Sequence, residues 1–212
     1  MPHKGIWIVI ISAIAIAAGL GVRGQMAVRA HPYDQGQAAP KFNLASQDGS
    51  RISPSQYKGK WLVVYFYSNR KLHRYLPDYL FQVPDGDATS DNIIEAKNFQ
   101  RDLPKYAALN AAVIGFSPDS IDEHKAFVKS ESLTLPLLTP DEFTIDAFGV
   151  PYAGSGENAT FERDTFLISP QGTIVKVWFV KDVQSHSEEV LSTLAAAQQF
   201  GYLPDSLRES PI

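Results

Sequence analysis

The longest unbroken hydrophobic stretch beyond the first thirty residues is W-L-V-V-Y-F-Y at positions 61–67. A run of that length without alternation predicts a central strand buried on both faces. A-A-V-I-G-F at 111–116 predicts a second strand of the same kind. Between them Ile93, Ala96 and Phe99 recur at helical spacing, which predicts a helix over 89–106 with Thr89 or Ser90 as its N-cap. Ser117-Pro118-Asp119-Ser120 opens a helix carrying Ile121, His124 and Phe127, and Thr139-Pro140-Asp141-Glu142 opens a shorter one ending near Gly149. Strands at 166–168 and 174–179 flank Pro170-Gln171-Gly172, a tight-turn sequence. A closing helix over 185–200 turns Val190, Leu191 and Leu194 inward. At the front, 42–44 and 51–53 flank Asp48-Gly49, a hairpin signal. The order βαβα followed by ββα predicts an α/β fold with a central mixed sheet flanked by helices.

The N-terminus reads differently. From Ile6 to Val22 no residue is charged, Lys4 precedes the run and Arg23 stops it. Two readings compete. One is a signal peptide with a small-residue site near Val28-Arg29-Ala30. The other is an uncleaved anchor at the lower edge of the length that spans a bilayer, with Trp7 at an interface position. The anchor is the preferred expectation, since Arg29 sits awkwardly in a cleavage site; the soluble domain would then be extracytoplasmic or lumenal. Residues 24–39, with Pro32, Gly36, Gln35 and Gln37, read as a linker. The domain proper runs over 40–203, and a polar tail follows over 204–212.

Composition sharpens this. The chain has 212 residues, 19 basic against 23 acidic side chains, and a net charge of −4. Lys4, Arg23 and Arg29 are the only charged residues among the first thirty, so the remainder carries about −7. An acidic body excludes general nucleic-acid binding. Cysteine is absent, which removes every zinc pattern based on thiolates, and the five histidines show no ligand spacing. No metal site and no cofactor are expected. Gly154-Ser155-Gly156 lacks the flanks of a nucleophile elbow. Asn158-Ala159-Thr160 fits a glycosylation acceptor. Glu157, Glu162 and Asp164 read as a solvated loop.

Several blocks carry a family resemblance: G-Q-A-A-P-K-F-N-L from Gly36, then D-G, Y-K-G-K-W-L-V-V-Y-F-Y, V-I-G-F-S-P-D-S at 113–120, and R-D-T-F-L-I-S at 163–169. Their order and spacing resembles the Q-type peroxiredoxins, the bacterioferritin-comigratory branch of the AhpC/TSA type. The resemblance implies a thioredoxin-like fold of peroxiredoxin type and, ordinarily, thiol peroxidase activity. It aligns D-A-T-S-D-N-I-I-E-A-K-N-F at 87–99 with the family's T-P-G-C-T-x-E-A-C-x-F. Glu95, Ala96 and Phe99 set the register, so Asn92 falls at the peroxidatic cysteine and Lys97 at the usual resolving cysteine. Thr89 falls on the active-site threonine, Arg163 on the arginine that orients peroxide, and Pro84 near the shielding proline.

Peroxide reduction needs a thiolate that passes through sulfenic acid, and an asparagine amide only exchanges hydrogen bonds. The catalytic set is therefore degenerate at Thr89, Asn92, Lys97 and Arg163. Residues 68–83 (S-N-R-K-L-H-R-Y-L-P-D-Y-L-F-Q-V) form an insertion beside that site. Arg70, Lys71 and Arg74, with Tyr75, Tyr79 and Phe81, combine the residue types enriched at binding hot spots. The alternative is that the aromatics fold back over the vacated pocket. The expectation is a non-catalytic, membrane-tethered protein with a protein partner, for which a photosynthetic membrane complex is one home that the resemblance suggests. A redox protein using a partner's thiol and a polar-ligand pocket are the alternatives.

Overall fold

A computed structural model describes residues 36–68, 88–153 and 160–201. The hydrophobic run 6–22, all of the 68–83 insertion except Ser68, the Gly154-Ser155-Gly156 stretch and the tail lie outside these residues. Among the described residues no helix is long and apolar enough to cross a membrane.

The chain order is β1 (Leu44–Ala45), β2 (Arg51–Ile52), a 3-10 turn (Pro54–Tyr57), β3 (Trp61–Phe66), α1 (Ala88–Ala108), β4 (Ala111–Phe116), α2 (Ile121–Glu131), β5 (Leu137–Leu138), α3 (Glu142–Phe148), β6 (Tyr152–Ala153), β7 (Thr160–Phe161), β8 (Asp164–Ile168), β9 (Ile174–Phe179) and α4 (His186–Phe200). Five strands form the central sheet in the order β5-β4-β3-β8-β9. β3 lies in the middle, parallel to β4 and antiparallel to β8. This is the mixed, helix-flanked sheet of a thioredoxin-like fold, as the alternation of patterns predicts.

The unbroken apolar run has the expected cause. Val63, Tyr65 and Tyr67 face a core shared with α1 and α4, through Ala96, Phe99, Val190 and Leu194. Leu62, Val64 and Phe66 face the opposite core, with Phe148 of α3 and Phe42 and Leu44 of the entrance hairpin. Tyr65 stacks between Tyr67 and Phe99, with ring centroids 5.5 and 4.7 Å apart. Its register partner on β4 is Gly115. A Cβ at Gly115 would stand 2.7 Å from the Tyr65 ring and 2.8 Å from Leu137, so a glycine is what lets the tyrosine lie flat against the strand.

Boundaries differ in places. α1 already includes Ala88, so Thr89 and Ser90 sit inside the helix rather than at its N-cap. β8 starts at Asp164, two residues before the predicted Phe166, because its polar first residues pair with Trp178 and Phe179 of β9. The short β5 and the β6–β7 ribbon were not predicted; two-residue strands carry too little pattern to be seen. The helix starts at 120–121 and 141–142 match, with Ser120 and Asp141 as N-caps.

Candidate functional site

α1 begins after the C-terminal end of β3, and its second turn brings Asn92 under that end. Asn92 is buried, and its Nδ2 donates to the Ser68 carbonyl at 2.8 Å. One turn further, Glu95 is 1% exposed and accepts from Arg163 Nη1 at 3.0 Å. Arg163 immediately precedes β8, the strand antiparallel to β3, so sheet pairing carries it to the same end as Asn92. Asn92, Glu95 and Arg163 therefore lie at the same end of the central strands, although Arg163 is far from the other two in the chain. Thr89 lies in the first turn of the same helix by its backbone.

Lys97 does not join them. Its ammonium ion is about half exposed and pairs with Glu131 of α2 at 2.8 Å. Two residues from Glu95 along a helix is roughly 200° around the axis, so Lys97 points to another side of α1 than the Glu95–Arg163 pair.

The local electrostatics are those of under-satisfied buried acids. Burial pushes the Glu95 carboxyl up to about 7 against the opposing pull of Arg163, and Asp91 adds to the rise. Oε1 of Glu95 has no hydrogen-bond partner. Asp164 is 3% exposed, and burial, reinforced by the neighbouring Glu162, pushes it up to about 7 as well. Burial also raises Glu162, against Arg163. The expectation of a solvated acidic loop is therefore wrong for these two. Pairing of β8 with β3 and β9 draws Asp164 into the sheet, and Glu162 follows it inward.

Beneath the site lies the Tyr67–Tyr65–Phe99 stack. The Tyr65 hydroxyl is buried without a hydrogen-bond partner, and burial holds its phenol well above the usual range, with the charges of Tyr67 and Glu95 acting in the same direction. Chemically, the arrangement offers a neutral amide, a guanidinium and carboxyls that titrate near neutrality. It can orient a polar group and move a proton. It contains no nucleophile that forms a sulfenic acid. No cluster of three or more histidine, aspartate or glutamate side chains suited to a metal ion occurs among the described residues.

Glu95 and Asp164 are the residues that reading the sequence for chemistry missed. Glu95 served there only to set a register, yet it is the partner of Arg163. Its signal was available in the pairing of an inward-facing acid on α1 with a basic residue at the start of a strand. The insertion residues Arg70, Lys71, Arg74, Tyr75, Tyr79 and Phe81 lie outside the described residues.

Comparison with known proteins agrees with the fold. The model of the AhpC/TSA family matches residues 35–73 and 80–177, leaving a gap inside the 68–83 segment. Peroxiredoxin Bcp of Bacillus subtilis is 32% identical over 163 residues, covering 75% of this chain and 93% of its own. The chloroplastic peroxiredoxin Q of Populus jackii is 30% identical over 163 residues, covering 76% of this chain and 68% of its own. Among solved structures, a cysteine-to-serine mutant of Xylella fastidiosa PrxQ superposes with a TM-score of 0.61 at 27% identity, over 80% of this chain and 100% of that one. With an AhpC/TSA match across most of its length and Bcp and peroxiredoxin Q proteins as its relatives, the chain belongs to the Q-type peroxiredoxin family, as a member without cysteine.

Proposed function

We propose that this chain is a non-catalytic peroxiredoxin-like protein, tethered to a membrane by the run 6–22, that works by binding a protein partner through the segment 68–83. The observation that carries the loss of catalysis is Asn92. It is buried under the end of β3, its amide donates to the Ser68 carbonyl, and the resemblance of the 87–99 block to the family motif puts it at the peroxidatic cysteine. The sequence contains no cysteine, so no side chain in it supplies a thiolate. What persists around Asn92 is the Glu95–Arg163 pair, which ties α1 to β8 and so has a structural reason to outlast the chemistry.

The support for partner binding is the sequence of the insertion, which gathers Arg70, Lys71 and Arg74 with Tyr75, Tyr79 and Phe81 on an otherwise acidic chain. A polar-ligand pocket is the second reading, favoured by the under-satisfied Glu95 carboxyl. Association is tested by pull-down from detergent-solubilised native membranes with the full chain. Replacing Arg70, Lys71 and Arg74 together with alanine is expected to abolish the recovered complex while leaving Tm unchanged, because solvated charges contribute little to folding. Undiminished recovery by the triple variant would remove the insertion as the interface. Release of the protein by carbonate washing would remove the tether.

A further inference from the structure

A cleft lies at the end of β3 opposite Asn92. A six-residue strand is about 20 Å long, so the two ends are well separated. The cleft, of ≈500 Å³, lies between the entry segment at 38–42, the 3-10 turn with the residues after it, and the β8–β9 turn. That volume is within the roughly 300–1,000 Å³ usual for small-molecule sites.

Lys41, Lys58 and Lys60 line the cleft, and no acidic side chain does. None of the three forms an ion pair among the described residues. In a chain of net charge −4 this gathering of unpaired cations stands apart. A cleft lined by one sign of charge concentrates ions of the other. Its walls include Phe42, Tyr57 and Leu62. Burial raises the Tyr57 phenol, which keeps it neutral beside the lysines.

The lysines are carried on a pinned backbone. Gly59 N donates to the Pro170 carbonyl at 3.2 Å, Ala39 N to the Gly172 carbonyl at 2.8 Å, and Lys60 N to the Tyr57 carbonyl at 2.9 Å. The Asn110 amide donates to the Gly59 carbonyl at 3.0 Å. Gly59 has φ +83, so a side chain there would be strained, and the tight turn between Lys58 and Lys60 depends on it. Three chain segments are thus hydrogen-bonded into one frame that holds cations around an apolar floor.

We propose that this cleft binds a small amphiphilic anion, with a carboxylate, sulfonate or phosphate group among the three lysines and an apolar body against Phe42, Tyr57 and Leu62. The ligand is either a free metabolite of that chemistry or the anionic headgroup of a lipid with part of its chain.

The test titrates the isotope-labelled full chain with naphthalene-1-sulfonate and with its uncharged analogue 1-naphthol, following amide shifts. Saturable shifts at 38–42, 53–62 and 168–172 are expected, with the sulfonate bound at least about tenfold more tightly than the naphthol. The variant Lys41→Gln/Lys58→Gln/Lys60→Gln is expected to lose at least about tenfold in affinity for the sulfonate at unchanged Tm. Should its Tm fall, the three single variants decide, each weakening the sulfonate by about threefold. Vesicles of phosphatidylglycerol separate the sources: lysine-dependent capture identifies the lipid, and absence of capture leaves the free metabolite. Shifts confined to other surfaces, equal affinity for the two probes, or lysine-independent binding would overturn the proposal.

Discussion

Helix α1 carries two buried carboxylates two turns apart, and they have opposite fates. Asp102 is fully buried and held at about 2. Burial works to raise it, but hydrogen bonds from Arg101, Lys105 and Ser187 together overcome that. Arg101 reaches both oxygens, Lys105 Nζ lies at 2.9 Å and Ser187 Oγ donates at 2.9 Å. Glu95 has one cation on one oxygen and nothing on the other, and burial wins. Solvent touches neither carboxylate directly, but Glu95 lies deeper from the surface than Asp102 and also has fewer donors, and the two differences act together. Asp102 is a finished structural joint between α1 and α4, where Tyr106 also donates to the Ser187 carbonyl at 2.9 Å. Glu95 joins α1 to the start of β8 through Arg163 alone, and its second oxygen is left unsatisfied.

Breaking the joint should have the largest effect. Asp102→Ala removes an acceptor shared by three donors and leaves the Ser187 hydroxyl buried without it. A loss of about 2–4 kcal/mol is expected, seen as a Tm fall of about 5–10 °C. A fall of less than about 2 °C would mean that the joint contributes little and that the contrast with Glu95 is not one of satisfaction.

The Glu95 half is sharpened by pH. Its folded value of about 7 lies above the ordinary 4.5, so the folded chain binds the proton more tightly than the unfolded chain. Stability from this group is therefore lost as pH rises from about 4.5 through about 7. Asp164 acts in the same direction. His124 and His186, both lowered to about 4 chiefly by burial, act oppositely between about 4 and 6.5. Glu95→Gln removes one contribution and leaves the others, so the difference in Tm between variant and parent is the readout. It should move in the variant's favour between pH 5 and pH 8 by roughly 2 kcal/mol, or about 5 °C. A difference that stays flat with pH would put Glu95 in the same class as Asp102.

The smallest effect supplies the baseline. Lys125 pairs with Asp122 at 3.1 Å on the exposed face of α2, where both side chains are largely in solvent. Lys125→Ala should shift Tm by no more than about 1 °C. A larger shift would show that ion pairs here matter even when solvated, and would weaken the distinction between buried and exposed acids.

Much of this was legible along the chain. The run at 61–67 announced the central strand because both its faces are covered, and Ser120 and Asp141 announced helix starts because capping chemistry is local. Asn92 and Arg163 were singled out through the spacing of family blocks, and the fold places both near the C-terminal end of β3. Lys97 was read only as a matched position, which does not say which side of a helix a residue takes; in the fold it pairs with Glu131 of α2. The burial of Asp164 was hidden because short polar strand ends look like loops until their partners are known. The lysine cleft was hidden for a similar reason: Lys41 and the Lys58-Gly59-Lys60 turn become neighbours only through hydrogen bonds to the β8–β9 turn.

The central claim is that a Q-type peroxiredoxin fold here operates without peroxide chemistry. The full chain assayed with hydrogen peroxide, thioredoxin, thioredoxin reductase and NADPH tests it most directly. Consumption of NADPH should stay at the rate seen without the protein, since no side chain can cycle through a sulfenic acid. Saturable turnover clearly above that control, retained after further purification, would contradict it.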